Sequence, residues 1–139
     1  RRFHADAHAL LALVHWTWKD RTAASKAASA ALGLAPNHPH ALAVKGVVLL
    51  EMGDPHEALA CGLEPASAAG ATNFWVLLNR SRALEKTGSF AMARAAWQDL
   101  LAQAAEPPHD HCPTWILAAA RTSLERLRRY HDDRPQVVD

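Results

Sequence analysis

The densest group of side chains that could do chemistry lies at residues 109–112, where the sequence reads HDHC. Imidazole, carboxylate and thiolate groups are all competent zinc ligands. His109, His111 and Cys112 are therefore candidate metal ligands. However, four adjacent residues rarely wrap around one tetrahedral ion by themselves. We expect a polar loop here, with no metal and no other cofactor.

Thiol chemistry is the second candidate, because Cys112 is the thiol with a histidine base close to it in the sequence. Cys61 is in an alanine-rich segment, where we expect it to be packed. A Cys61–Cys112 disulfide is an alternative that requires the two Cα atoms to lie within about 7 Å. The sequence contains no glycine-rich phosphate loop and no nucleophile elbow. We therefore predict that this domain is not an enzyme.

Composition sets the class of protein. The chain has 139 residues, half of them apolar, and its 15 Lys and Arg against 14 Asp and Glu leave a net charge of +1. Such balance argues against nucleic acid as a partner, since phosphate binding needs a clustered positive surface. The local excess at Arg126, Arg128 and Arg129 is interpreted as the solvated face of a terminal helix.

No apolar run reaches the roughly 18 residues of a membrane span. We therefore predict a soluble domain without direct membrane insertion. Two cysteines do not decide between a cytoplasmic and a periplasmic location. Because the sequence opens at Arg1 rather than Met, we expect a processed or excised piece of a longer protein.

Small residues recur at a nearly constant spacing. Gly46 and Ala58 have counterparts 34 residues earlier at Ala12 and Ala24, and 35 residues later at Ser81 and Ala93. This period is typical of arrays of helix-turn-helix repeats. It predicts an all-α chain in which small side chains mark the places where helices cross closely.

The apolar periodicity predicts three helix pairs followed by a single helix. Gly62 and Pro65 should make the second helix of the middle pair kink or restart near Glu64. Thr22 and Ser89 are expected to cap helices. A proline-rich loop at 106–113 should precede the last helix, and a frayed tail at 131–139 should follow it. The predicted helices cover residues 8–18, 22–34, 40–52, 55–72 with that kink, 73–87, 90–104 and 114–130.

The three pairs resemble tetratricopeptide repeats. In that family the residues at the eighth and twentieth positions of each repeat are small. All three repeats of this chain have alanine at the twentieth position, namely Ala24, Ala58 and Ala93. Lys19 departs from the family pattern, because glycine is usual there. The resemblance implies a right-handed α-solenoid of three hairpins with a C-terminal capping helix, forming a single domain at 1–130 with repeats at about 5–38, 39–73 and 74–107.

A narrower resemblance involves AAWQDLLAQ at residues 95–103, which is similar to repeat domains of bacterial cytochrome c maturation proteins. The group that carries it is Trp97, Leu100 and Leu101. It implies a chaperone-like domain that holds apocytochrome tails. The alternative is that Trp97 fills an aromatic core position common in these repeats.

The first helix of each repeat lines the inner face of such a solenoid. The family register predicts a groove with tryptophan anchors at Trp16 and Trp75 and a charged end at Arg82, Glu85 and Lys86. The alternative for each tryptophan is a place in the core. The predicted groove residues are Asp6, Ala9, Leu13, Trp16 and Thr17, then His40, Ala43, Val47, Leu50 and Glu51, then Trp75, Leu78, Arg82, Glu85 and Lys86.

Tryptophan and arginine dominate the energetics of protein interfaces. The sequence therefore predicts a protein-interaction module, within a larger bacterial assembly or multidomain protein, that binds a peptide or partner-protein segment. Ala9 and Leu13 replace the lysine and asparagine of the carboxylate clamp, which argues against chaperone C-termini. The alternative is a structural appendage that self-associates or positions an attached enzyme or secretion component.

Overall fold

The computed structural model describes residues 2–71, 73–105 and 112–133, and they form seven helices. Within these ranges there is no β-strand. The helices are α1 (Arg2–Thr17), α2 (Arg21–Leu34), α3 (Pro39–Glu51), α4 (the consecutive stretches Pro55–Ala58, Leu59–Leu63 and Glu64–Ala68), α5 (Phe74–Lys86), α6 (Phe90–Ala105) and α7 (Thr114–Asp133).

Antiparallel hairpins explain the repeated small residues. The pairs α1/α2, α3/α4 and α5/α6 are each joined by a short turn, and α7 packs on the last pair. Ala24, Ala58 and Ala93 are all 0% exposed. Ala12 and Ser81 are equally buried. The predicted all-α solenoid of three hairpins and a capping helix is confirmed. Residues 106–111 of the predicted loop at 106–113 and residues 134–139 of the predicted tail at 131–139 lie outside the described residues, whereas α7 continues to Asp133.

The turns inside the hairpins share one backbone conformation. Lys19, Gly53 and Gly88 lie at the repeat spacing, with φ angles of 62°, 87° and 81°. The conformation is left-handed, which glycine adopts without steric cost and other residues adopt at a cost. The first turn thus keeps the geometry of the other two although lysine occupies the glycine position.

Side chains cap several helices, and one predicted cap is wrong. The carboxylate of Asp20, rather than Thr22, accepts the Ala23 N–H at 3.1 Å, because α2 begins at Arg21. Asp54 caps α4 in the same way, by accepting the Glu57 N–H at 3.3 Å. Asn73 accepts the Val76 N–H at 3.0 Å and so fixes the start of α5.

Helix α4 is irregular where expected but does not break. A π-helical turn at Leu59–Leu63 inserts one extra residue before Pro65, and the helix continues to Ala68. Such a turn lets a helix accommodate proline without a full interruption. Gly62 within this turn lies against Gly46 of α3, so its small size serves a close crossing.

The C-terminal helix closes the main apolar core. Trp97 and Leu100 of α6 are 0% exposed and cluster with Ile116, Ala120 and Leu127 of α7. The Trp97 group, which carries the resemblance to cytochrome maturation proteins, therefore contributes to packing. Trp97 Nε1 donates a hydrogen bond to Glu85 Oε1 at 2.7 Å, which satisfies the buried indole.

Candidate partner-binding groove

Two tryptophans that are distant in the sequence meet across the first helices of repeats one and three. The rings of Trp16 on α1 and Trp75 on α5 are 5.0 Å apart at an interplanar angle of 66°, an edge-to-face contact. Trp16 Nε1 also donates to Glu51 Oε1 on α3 at 2.8 Å. Arg21 Nε lies 3.4 Å from the same oxygen. The three first helices are therefore joined at one point.

An open apolar cavity of ≈ 470 Å³ lies beside this tryptophan pair. Its walls come from α1, from the start of α5 and from the start of α7. Trp115 is 55% exposed and Leu13 is 39% exposed, so both present apolar surface to solvent. We call this cavity the tryptophan groove; its lining residues are Leu13, Trp16, Asn73, Phe74, Trp75, Pro113, Trp115 and Ile116.

Trp16 and Trp75 combine the two roles that the sequence left open. Each is half-buried against core clusters, and each also lines the groove. A rigid aromatic wall that is already held in place loses little conformational freedom when a partner binds. The pair is therefore suited to anchoring an apolar side chain.

Positive charge follows the tryptophans along α5. Arg82 and Lys86 lie two and three turns beyond Trp75 on the same side of the helix and are exposed. Neither forms an ion pair with another described residue. Both cations are therefore available to a negatively charged group.

Glu85 was predicted beside these cations but has a structural role instead. Its Oε1 accepts from Trp97, and its Oε2 lies 2.5 Å from Arg126 Nη2 on α7. With both oxygens engaged and its side chain 14% exposed, Glu85 links α5 to α6 and α7. The Arg126 side chain is 50% exposed, so it lies on the solvated face of α7 as predicted and also forms this ion pair.

Several predicted groove residues are buried. Val47, Leu50 and Leu78 are 1%, 7% and 1% exposed and belong to core clusters. They cannot contact a partner, because neighbouring helices cover them. Ala9 and Ala43 are buried as well. The expected apolar floor is thus internal, and the accessible apolar surface lies at one end.

The remaining predicted positions are polar and do not line the tryptophan groove. His40 is exposed near the start of α3, with its ring 5.9 Å from that of His38. Asp6 Oδ1 is 2.6 Å from His38 Nε2, so this pair holds α1 to the start of α3. Thr17 is exposed and donates to the Leu13 carbonyl within α1.

Sequence reasoning missed the contribution of α7. The sequence pattern predicts helices at 114–130 and 73–87, which contain Trp115, Ile116 and Phe74, but gives these residues no role in the groove that all three line. The sequence signal that could have indicated this role is Trp115 itself, a large aromatic residue on an amphipathic helix. Its position beside Trp75 depends on how α7 packs, which no local pattern specifies.

The thiols carry no activated nucleophile. Both cysteines are free. The pKa of Cys61 is raised, first by the hydrogen bond from its Sγ to Glu57 Oε2 at 3.1 Å and then by desolvation. Burial raises the pKa of Cys112. Reactive cysteines need the opposite shift, because the thiolate is the nucleophile.

Metal ligands do not cluster in the part of the chain that the structure describes, where no group of three or more His, Cys, Asp or Glu side chains could hold an ion. The candidates His109 and His111 lie outside those residues. Of the predicted set, Cys112 is described, and its Sγ is near the Pro113 carbonyl.

Comparisons with known proteins bear on the first hairpin and on the whole fold. A family model for the tetratricopeptide repeat matches residues 5–38. The first hairpin is similar to a tetratricopeptide repeat. The tetratricopeptide domain of Arabidopsis OM64 superposes with a TM-score of 0.73 at 16% identity, covering 93% of this chain and 98% of that one. No curated protein matches the sequence.

The fold is that of tetratricopeptide-repeat domains, which in general are non-catalytic modules for protein-protein interaction. None of the described helices is both long and apolar enough to cross a membrane. At 16% identity the structural likeness concerns the fold alone, so the choice of partner must come from the surface of this chain.

Proposed function

We propose that this tetratricopeptide-repeat domain binds a peptide or partner-protein segment whose bulky apolar side chains enter the tryptophan groove. The observation that carries the proposal is the ≈ 470 Å³ cavity lined by three tryptophans. Tryptophan is the residue type most enriched among the side chains that dominate binding energy. Apolar concave sites with a few polar groups are the usual form of binding pockets.

Charge gives the bound segment a direction. The exposed cations Arg82 and Lys86 lie on α5 beyond the tryptophan pair, separated from Trp75 by roughly 10 Å and roughly 16 Å of helix. Exposed cations attract acidic groups and raise the rate of encounter more than the affinity. The preferred ligand therefore combines large apolar side chains at one end with Asp or Glu at the other.

The proposal does not extend to apocytochrome tails. The residues that carry the cytochrome resemblance include Trp97 and Leu100, which are fully buried and belong to the core. A place in a larger bacterial assembly has no support from the described surface beyond the groove itself. The groove supports a bound segment that has bulky apolar side chains at one end and acidic side chains at the other.

Synthetic peptides test the proposal directly. One peptide carries Leu and Phe followed by Glu residues, a second replaces Glu by Lys, and a third replaces the apolar residues by Ser. Binding is measured by tryptophan fluorescence and calorimetry. We expect the first peptide to bind most tightly and the third not to bind. Equal behaviour of all three would refute both the groove and its polarity.

Matched tryptophan variants locate the site. Trp115 is 55% exposed, so Trp115→Ala removes groove surface without opening the core. We expect a loss of about tenfold or more in affinity, as for interface tryptophans generally. Trp18→Ala is the control, because Trp18 is 80% exposed and outside the groove. If Trp115→Ala bound the first peptide as tightly as the parent protein does, the site would lie elsewhere.

A further inference from the structure

Helix α1 has an apolar stripe on the side facing away from the core. Phe3 and Leu10 are 80% and 63% exposed, and Trp18, directly after the helix, is 80% exposed. Trp18 N–H donates to the Val14 carbonyl at 3.1 Å, so the chain keeps its helical course through the stripe. We call this the α1 stripe; it consists of Phe3, Ala7, Leu10, Leu11, Val14 and Trp18.

The repeat spacing shows what this surface does elsewhere in the fold. In α3, 34 residues later, the positions equivalent to Ala7, Leu10 and Val14 are buried. They are occupied by Ala41, Val44 and Val48, which are 0%, 1% and 3% exposed. Those three side chains pack against the small residues of the preceding helix α2, namely Ala24, Ala27, Ala28 and Ala31.

The same positions are buried again in the third repeat. A further 35 residues along, they are Val76, Asn79 and Ala83 of α5, with exposures of 0%, 7% and 0%. Val76 and Ala83 pack with residues of α3 and α4. The α1 stripe is therefore the stacking surface of the repeat, and it is the copy that no other described helix covers.

We propose that the α1 stripe is a homodimer interface, in which α1 of a second copy packs antiparallel against it. This surface is distinct from the tryptophan groove. Its apolar character is also broader than that of the internal stacking surfaces: where α1 has Leu11, α3 has Lys45 and α5 has Arg80, which pairs with Glu64. A helix of the α2 type would leave that extra apolar width uncovered.

The stripe is also complementary to itself. A twofold rotation about an axis that passes midway between Leu10 and Leu11 places Phe3 on the position of Trp18 and Ala7 on the position of Val14. A twofold interface requires such a surface, because the same patch serves both subunits. The six residues form two rows with a spacing of four, Phe3-Ala7-Leu11 and Leu10-Val14-Trp18. Packing of such rows gives the commonest helix crossing.

Head-to-tail stacking is the competing arrangement, and the last helix disfavours it. The exposed side of α7 has Arg121, Glu125 and Arg128. Placing the α1 stripe of one copy on that side would remove charges from water without placing apolar surface opposite the stripe. The symmetric α1–α1 pair buries apolar surface from both partners.

Light scattering coupled to size exclusion tests the proposal with the chain as it is. We expect a concentration-dependent dimer in the micromolar to millimolar range. Leu10→Asp places a charge near the twofold axis in both subunits and should weaken dimerisation by at least roughly 100-fold. Met92→Asp is the matched control, because Met92 is an exposed apolar residue of α6 outside the stripe. A parent protein that stays monomeric throughout, or a Leu10→Asp dimer as stable as the parent, overturns the proposal.

Cross-linking tests the antiparallel register. Ala7→Cys and Val14→Cys variants are prepared with Cys61 and Cys112 replaced by serine and are then mixed. The antiparallel pair predicts disulfides between the two variants in excess of those within either. Residues 7 and 14 are separated by about 10 Å of helix, which exceeds disulfide reach in like pairs. An excess of like pairs shows parallel packing and overturns the proposal, as does the absence of any cross-link. Peptide binding to the tryptophan groove should be unchanged in Leu10→Asp, so failure of the dimer and failure of the groove are distinguishable.

Discussion

Gly46 of α3 and Gly62 of α4 touch backbone to backbone at the centre of the middle repeat. A Cβ on Gly62 would lie 2.3 Å from Gly46 Cα and 2.5 Å from Gly46 N, both far below contact distance. Because these atoms belong to the main chain of a neighbouring helix, a rotamer change cannot relieve the clash. The two helices can cross at this distance only with glycine at residue 62.

We therefore predict that Gly62→Ala lowers the free energy of unfolding by about 2–3 kcal/mol, as overpacking typically does. Urea unfolding followed by circular dichroism measures the change. Gly33→Ala is the matched control, since nothing lies within 4 Å of a Cβ at that position of α2. It should be neutral or stabilising by up to about 1 kcal/mol, because alanine favours helix over glycine. Equal effects of the two substitutions would contradict the close crossing.

Replacing lysine by glycine should change the free energy of unfolding in opposite directions at Lys19 and at Lys26. Its φ of 62° matches those of Gly53 and Gly88 at the equivalent turns. Lys19→Gly should stabilise the protein by about 1 kcal/mol, because glycine carries no steric penalty there. The same chemical change at Lys26, exposed inside α2, should destabilise by about 1 kcal/mol. A destabilised Lys19→Gly protein would show that the lysine side chain contributes more than its strained backbone costs.

Glu85 is predicted to stabilise the packing of the last three helices. Glu85→Ala leaves the buried Nε1–H of Trp97 without its acceptor, which costs about 1–3 kcal/mol, and also removes the partner of Arg126. Glu85→Gln retains an acceptor and should lose less. Thermal unfolding of both variants, with exposed Glu125→Ala as control, gives the comparison. Similar losses for Glu85→Ala and Glu125→Ala would rule out the bridging role.

Cys61 should respond to its neighbour one helical turn away. The Glu57 carboxylate accepts the thiol hydrogen bond and raises the pKa of Cys61, so less thiolate is present at a given pH. Glu57→Ala removes both the acceptor and the carboxylate charge and should shift the pH–rate curve for alkylation to lower pH. Mass spectrometry of iodoacetamide-treated protein follows each thiol separately. Cys112 serves as the internal control, because its raised pKa comes from burial. An unchanged Cys61 curve would remove Glu57 as the cause.

The repeat architecture could be predicted because it depends on spacing along the chain. The small residues Ala24, Ala58 and Ala93 mark positions where two helices pack closely. Their regular spacing was therefore sufficient to predict stacked hairpins. The predicted start of α2 was wrong. Asp20 replaced Thr22 as a cap because the first helical residue is set by the turn geometry around Lys19.

The groove depended on information that local patterns lack. The family register placed Trp16 and Trp75 on the inner helices, but it could not show that Val47, Leu50 and Leu78 on the same helices are covered by their neighbours. Which positions stay exposed depends on how far each hairpin tilts over the next, a property of many side chains acting together.

Residue spacing thus determined the fold class, the number of hairpins and the expectation of a binding scaffold, since helix periodicity and side-chain size act locally and repeat along the chain. Tertiary packing decided which surfaces a partner could reach. It brought Trp115 of α7 beside Trp16 and Trp75, used Glu85 inside the fold and left the α1 stripe uncovered. Exposure results from contacts between residues far apart in the sequence, so only the assembled helices specify it.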